Sequence, residues 1–148
     1  MKKYLILVWT LSFALSYAAE PVTNDLKAAK QQAKIEHKLI LLKFSGSDWC
    51  VPCINVQKKV IDTEEFQDFA STRLVLMNAD FPRQKKNQLS AEDTKKNAEL
   101  AEQYNKEGIF PKFVLLDENG KVLSQWAGLE KMEPKYLEDK ILPYLADK

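Results

Sequence analysis

Two cysteines two residues apart, in Trp49-Cys50-Val51-Pro52-Cys53, lie where a strand signal gives way to a helix signal. No other feature of the chain constrains the fold as closely. The run Leu39–Ser45 just before the pair is apolar and reads as a buried strand, and the residues after it, through Val60, carry a helical pattern. A helix N-terminus presents unpaired N–H groups and a partial positive charge, which favour a thiolate. The thiolate is the form that attacks a disulfide, and the second cysteine, one helical turn on, can close the ring. Two plainer explanations compete. A structural disulfide across two intervening residues restrains little unfolded-chain entropy. Structural zinc wants four ligands, whereas the chain offers Cys50, Cys53 and a single histidine, His37. The context favours a redox pair, with no metal and no organic cofactor expected.

The N-terminus reads as a secretory leader. Lys2 and Lys3 give a positive start, Tyr4–Leu15 is an apolar run, and Ser16-Tyr17-Ala18 sets small residues where a signal peptidase reads, so cleavage is expected after Ala18. The apolar run is too short for a spanning helix, which needs about 20 residues. Residues 19–148 then suit one domain with its own core. Basic and acidic side chains nearly balance, 22 against 21. They are mixed along the chain, which points neither to nucleic acid nor to a membrane surface. The locally basic stretch Arg83–Lys86 reads as a solvated loop. An exported chain whose two cysteines share one short motif is no disulfide-stapled scaffold, so their presence calls for a chemical reason.

Asn24 is a candidate cap for a helix running to about His37, with Leu26, Ala29 and Ala33 on one face. Ile54, Val60 and Ile61 are expected to point inward from the helix after Cys50. Asp62 with Glu65 resembles a capping box opening a short helix that presents Phe66, Phe69 and Ala70. Leu74–Ala79 reads as a second strand and Phe81–Gln88 as a loop. Ser90 can cap a long helix to about Tyr104, with Ala98, Ala101 and Tyr104 inward and Gly108 ending it. Lys112–Leu116 and Lys121–Trp126 read as strands joined across Asn119-Gly120, a hairpin signal. From Pro134 a final helix presents Leu137, Ile141, Tyr144 and Leu145. The helical crossover makes the first two strands parallel, and the last two form an antiparallel hairpin.

These residues carry a family resemblance. Trp49-Cys50-Val51-Pro52-Cys53 after a strand, Gly108-Ile109-Phe110-Pro111 opening the third strand, the Asn119-Gly120 hairpin and a C-terminal helix resemble a thioredoxin-fold protein. The resemblance spans nearly all of residues 19–148. It implies an α/β fold, a central mixed sheet flanked by helices, here with an extra N-terminal helix. It also implies that Pro111 follows a cis bond and faces the cysteine pair, with Phe110 helping to bind an extended substrate. The phrase Phe44-Ser45-Gly46-Ser47-Asp48-Trp49-Cys50 and the Asp80-Phe81-Pro82 phrase with its charged insert are similar to exported bacterial thioredoxin-like disulfide reductases and isomerases.

The resemblance implies an exported thiol–disulfide oxidoreductase that reduces protein disulfides, with Cys50 as an exposed nucleophile and Cys53 resolving. Trp49 and Pro52 support the site. The partners implied are exported, disulfide-bearing proteins and a membrane thiol electron donor. A periplasmic or otherwise exported monomer is expected. Disulfide isomerisation and a thioredoxin-fold chaperone or binding module are the alternatives. Val51-Pro52 brings no charge and no histidine into the motif, so a reducing pair is expected. One departure stands out. The carboxylate that thioredoxins carry in the strand before the motif is absent, and Lys43, or Phe44 without a gap, takes its place. An ammonium reaching the pair would favour a thiolate. The expectation here is that Lys43 snorkels to the sheet edge, because a buried charged lysine is costly. Asp48 and Glu36 are the other candidate carboxylates, Asp48 reading as a turn residue or cap, and His37 reads as exposed at the end of the first helix. Trp126 and Phe113 read as hairpin core.

Overall fold

The computed structural model describes residues 23–146. The leader expected over residues 1–18, with its cleavage site after Ala18, lies outside the described residues. Helix α1, Leu26–Glu36, starts at Asp25, whose side chain accepts the Ala28 N–H at 3.0 Å. Asn24, the expected cap, instead donates its amide to Asp93 and Asn97 on a later helix. Both residue types cap helices well, and the long-range partners decided between them. Ala29 and Ala33 are buried as expected, and the helix closes on His37 in the left-handed region.

Strand β1, Leu39–Ser45, is buried at all seven positions. It pairs in parallel with β2, Leu74–Asp80, on one side and antiparallel with β3, Lys112–Leu116, on the other. Strand β4, Val122–Ala127, completes the sheet beside β3, giving the order β2-β1-β3-β4. A central strand covered on both faces needs apolar side chains in both directions, which is what the unbroken run reported. The turn into β4 has Gly120 at φ 86°, and Asp117 Oδ1 accepts the N–H groups of Asn119 and Lys121 at 2.8 and 2.9 Å.

Helix α2, Val51–Val56, continues as a π-helical turn over Gln57–Ile61. Val56, Val60 and Ile61 are buried, while Ile54, expected inward, is only half-buried. Helix α3, Glu64–Arg73, is capped by Thr63 accepting the Phe66 N–H, not by Asp62, which accepts from Gln57 Nε2 at 2.6 Å. Helix α4, Ala91–Tyr104, is capped by Ser90 as expected. Its buried residues are Asn97, Leu100 and Tyr104, whereas Ala98 is exposed. Asn97 faces inward because its amide donates to Asp80 O at 2.7 Å. Helix α4 ends at Tyr104, and Gly108 closes the following turn on Asn105 O.

The last helix, α5, Pro134–Ile141, buries Leu137 and Ile141. The sheet then has two covered faces. Leu39, Leu41, Phe113 and Leu115 pack with α2, its π turn, α3 and α5. Ile40, Leu42, Phe44, Val114 and Leu116 pack with α1 and α4. Each fully buried Leu or Phe side chain contributes about 1.5–3 kcal/mol, so the two faces hold the motif-bearing strand rigidly from both sides.

Candidate active site

The cysteine pair, Trp49, Pro52, Phe110 and Pro111 come to one end of the sheet. Strand β1 ends at Ser45, and the chain turns through Gly46–Trp49 into α2. Cys50 is the N-cap of that helix, with extended backbone angles, and its Sγ accepts the Cys53 N–H at 3.3 Å. Val51 and Pro52 occupy the first helical positions, where the missing proline N–H leaves nothing unsatisfied. Cys50 and Cys53 are joined in a disulfide, S–S 2.04 Å. Cys50 was expected to be exposed. It is only 5% exposed and Cys53 1%, because the cap geometry folds Sγ back over the helix terminus. The neighbouring Val51 is 65% exposed and forms the open rim.

Two carboxylates hold this turn in place. Asp80, at the end of β2, accepts the Ser47 N–H at 2.8 Å, the Ser45 hydroxyl at 3.2 Å and the Ser47 hydroxyl. Asp48 reaches the other way, to the loop after β2. It accepts the N–H groups of Arg83 and Gln84, both at 2.9 Å, and the Asn87 amide at 3.0 Å. The Arg83 N–H first, then the Asn87 amide, hold the Asp48 carboxyl below its ordinary value. Asp48 is a turn residue, as expected, and it is also the clasp between the motif and the insert, while Cys50 is the helix cap.

Trp49 sits in the middle of this arrangement. Its indole N–H donates to Phe81 O at 2.7 Å, and the Arg83 guanidinium lies 3.7 Å from its ring centre. Phe110 meets it edge-on at 5.5 Å between centroids and meets Phe81 the same way. A Cβ on Gly46 would come within 2.3 Å of the indole, so only glycine allows this approach. The Phe110–Pro111 bond is cis, as the resemblance implied. Lys112, next in the chain, pairs with Phe44 near the end of β1, which brings Pro111 to the motif end of the sheet.

Lys43 is where the sequence reading failed. It does not snorkel to a sheet edge. Its strand is central, the residue is 7% exposed, and its ammonium donates to Gln57 Oε1. Burial pushes its pKa down to about 8, while the charges of Asp80 and Asp62 pull it back up. Lys43 lines a cavity of about 370 Å³ beneath α2, together with Cys53, Gln57 and Asn78. His37 lies at the far end of β1, away from the motif. The roles of Asp80, Asp48 and Arg83 were missed, and the only local trace of them was the Asp80-Phe81-Pro82 phrase.

Residues 21–118 match the family model described as thioredoxin-like. The chain belongs to the thioredoxin-like family. Its sheet order, the Cys-x-x-Cys pair at a helix cap and the cis Phe110–Pro111 bond at the same end of the sheet fit that family's fold. Among relatives of this thioredoxin-like chain, the disulfide bond reductase DsbH of Chlamydia pneumoniae is 41% identical over 97 residues. That match covers 66% of this chain and 57% of the relative's length. A solved structure described as DsbH oxidoreductase superposes with a TM-score of 0.71 at 32% identity, covering 90% of this chain and 92% of the other. The disulphide isomerase of Xylella fastidiosa Temecula1 superposes at TM-score 0.55 with 20% identity, covering 92% of this chain and 98% of the other. That second structure shares the thioredoxin-like fold alone.

Proposed function

We propose that this chain is an exported thiol–disulfide oxidoreductase that reduces disulfides in other exported proteins. One observation carries the reading: two cysteines close a disulfide at a helix N-terminus, where the Cys53 N–H already points at the Cys50 sulfur. A group that accepts a hydrogen bond in its charged form has that form stabilised, so reduction leaves Cys50 as the readier thiolate. The similarity to a protein named disulfide bond reductase supports the direction of the reaction.

In this reading the Cys50 thiolate attacks a client disulfide and forms a mixed disulfide. Cys53 then attacks Cys50 Sγ, the bond to the client breaks, and the client leaves as a thiol. Trp49 and Phe110 form the aromatic floor of the client groove, and Pro111 holds the backbone opposite the pair. Pro52 keeps the helix start short of one competing N–H. A membrane thiol donor restores the dithiol. The leader over residues 1–18, cut after Ala18, delivers the chain to the periplasm or its equivalent, where it acts as a monomer.

The test is insulin reduction with a thiol donor. Cys50→Ser is expected to abolish it, and Cys53→Ser to accumulate mixed disulfides with clients. The Cys50–Cys53 potential is expected nearer the roughly −270 mV of thioredoxin than the about −120 mV of DsbA. Client trapping by Cys50→Ser but not by Cys53→Ser would reverse the roles. A potential at the oxidising end would remove the reductase assignment.

A further inference from the structure

Two lysines are buried in strands at the motif end of the sheet. Lys112 has a carboxylate partner, with Nζ 3.2 Å from Glu107 Oε2. Lys43 donates instead to the neutral amide oxygen of Gln57, whose own Nε2 is tied to Asp62. A lysine buried without an adjacent counter-charge gives up its proton readily, the property that lets lysines act as bases. Lys43, Gln57 and Cys53 line one cavity, and Cys50 is not among its lining residues. Gln57 opens the π-helical turn, and such turns gather at functional sites.

We propose that Lys43 is the proton-exchange partner of Cys53, which gives this chain an amine where a resolving cysteine needs a base. The proposal rests on the reading of Cys53 as the resolving cysteine. The proton passes directly or through water, for which the cavity has room.

The Cys50 thiolate attacks a client disulfide, and one client sulfur leaves as a thiolate that takes a proton from solvent. The Cys53 thiol gives its proton to the neutral Lys43 amine and attacks Cys50 Sγ. The Cys50–client S–S bond breaks, its electron pair leaves on the second client sulfur, and that thiolate is protonated from solvent. The client disulfide has gained two electrons and the Cys50–Cys53 pair has lost two. When a donor dithiol reduces the pair again, Cys53 departs as a thiolate and recovers the proton from the Lys43 ammonium. The lysine is thus a cation when the pair is a disulfide and shares its proton with Cys53 when the pair is reduced. Burial supports this, since it brings the Lys43 pKa down to about 8, within reach of a thiol. The other charges facing Lys43 are Asp62 and Lys58 from the helical side and Asp80 from β2, while β3 offers only Phe113 across from it.

The test is a titration of Cys53 in the Cys50→Ser chain, read by the ultraviolet absorbance of the thiolate. It is run with Lys43 intact and with Lys43→Met or Lys43→Gln, two neutral replacements that fill the site differently. With Lys43 present, thiol and amine titrate as a coupled pair. Without it, the Cys53 pKa is expected to rise by about one unit or more, an about tenfold loss of thiolate at neutral pH. In the two-cysteine chain, a glutathione mixed disulfide on Cys50 is expected to release glutathione about tenfold more slowly in either Lys43 variant. Alkylation of reduced Cys50 by iodoacetamide should change far less. A chain that reduces insulin, but whose folded Lys43 variants titrate Cys53 and release glutathione as the wild type does, would overturn the proposal alone. A wild-type chain inert towards insulin would overturn the underlying reading, and the Cys53 titration would still report whether Lys43 is coupled to it.

Discussion

The two faces of the sheet are built differently at the motif end. On the α1/α4 face, Trp49, Phe81 and Phe110 interlock edge to face, and even a methyl group on Gly46 has no space. The lysine buried there, Lys112, is matched by Glu107. On the α2 face the packing opens into a cavity of about 370 Å³, and its lysine rests on a neutral amide beside Cys53. Close packing fixes a geometry, whereas room and a charge with no carboxylate in direct contact allow proton movement. The packed face positions the cysteine pair, and the open face is where its chemistry can be tuned.

That contrast can be broken first at Gly46. Gly46→Ala forces the indole to move, and overpacking of this kind costs about 1–3 kcal/mol. Thermal unfolding should show the loss, and Trp49 fluorescence should shift as the Phe81 O bond is strained. An alanine variant with wild-type stability and spectrum would mean that the face is not close-packed. The next largest effect is at the lysines. At neutral pH Lys43→Met is expected to stabilise the oxidised protein by about 1 kcal/mol or more, because a buried charge is replaced by an apolar chain. Lys112→Met, which loses a pair to an exposed glutamate, should change stability by less than about 1 kcal/mol and leave insulin reduction intact.

The advantage of Lys43→Met depends on pH with a definite sign. Native Lys43 loses its proton near 8, while the unfolded chain holds it to about 10.4. Between those values the unfolded state binds more protons, so wild-type stability rises with pH. The gap to Lys43→Met should therefore close across that window, as chemical unfolding at several pH values would show. A gap independent of pH would mean that Lys43 keeps an ordinary lysine pKa in the folded chain. The smallest effect is at Asp48, which is half-buried in a surface turn. Its lowered pKa means the clasp is intact above the ordinary carboxylate value and loosens as pH falls through the native one. Asp48→Asn should speed amide exchange at Arg83 and Gln84, with little change in global stability.

Much of the architecture was legible because it is written in short-range patterns. The unbroken apolar run predicted β1 to the residue, and Lys112–Leu116 and the Ser90 cap were equally direct. The misreadings share a cause. Asn24 and Asp25 are both good caps, and so are Asp62 and Thr63, so local propensity leaves the choice to partners far along the chain. Ala98 looked like a core residue by composition. Asn97 took the place because its amide satisfies the Asp80 carbonyl.

The site divides the same way. The sequence by itself determined the cysteine spacing, the strand before it, the helix after it and the proline that opens β3, since each rests on neighbours a few residues apart. Only the tertiary structure decided that Asp80 reaches back 33 residues to Ser47, that Asp48 reaches forward 35 to Arg83, and that Lys43 faces the cavity of Cys53. A lysine in a strand has two outcomes of similar local cost, an edge where it reaches water or a central position where it cannot. Strand order settles which one applies, and strand order belongs to the assembled sheet, in which β1 lies between β2 and β3.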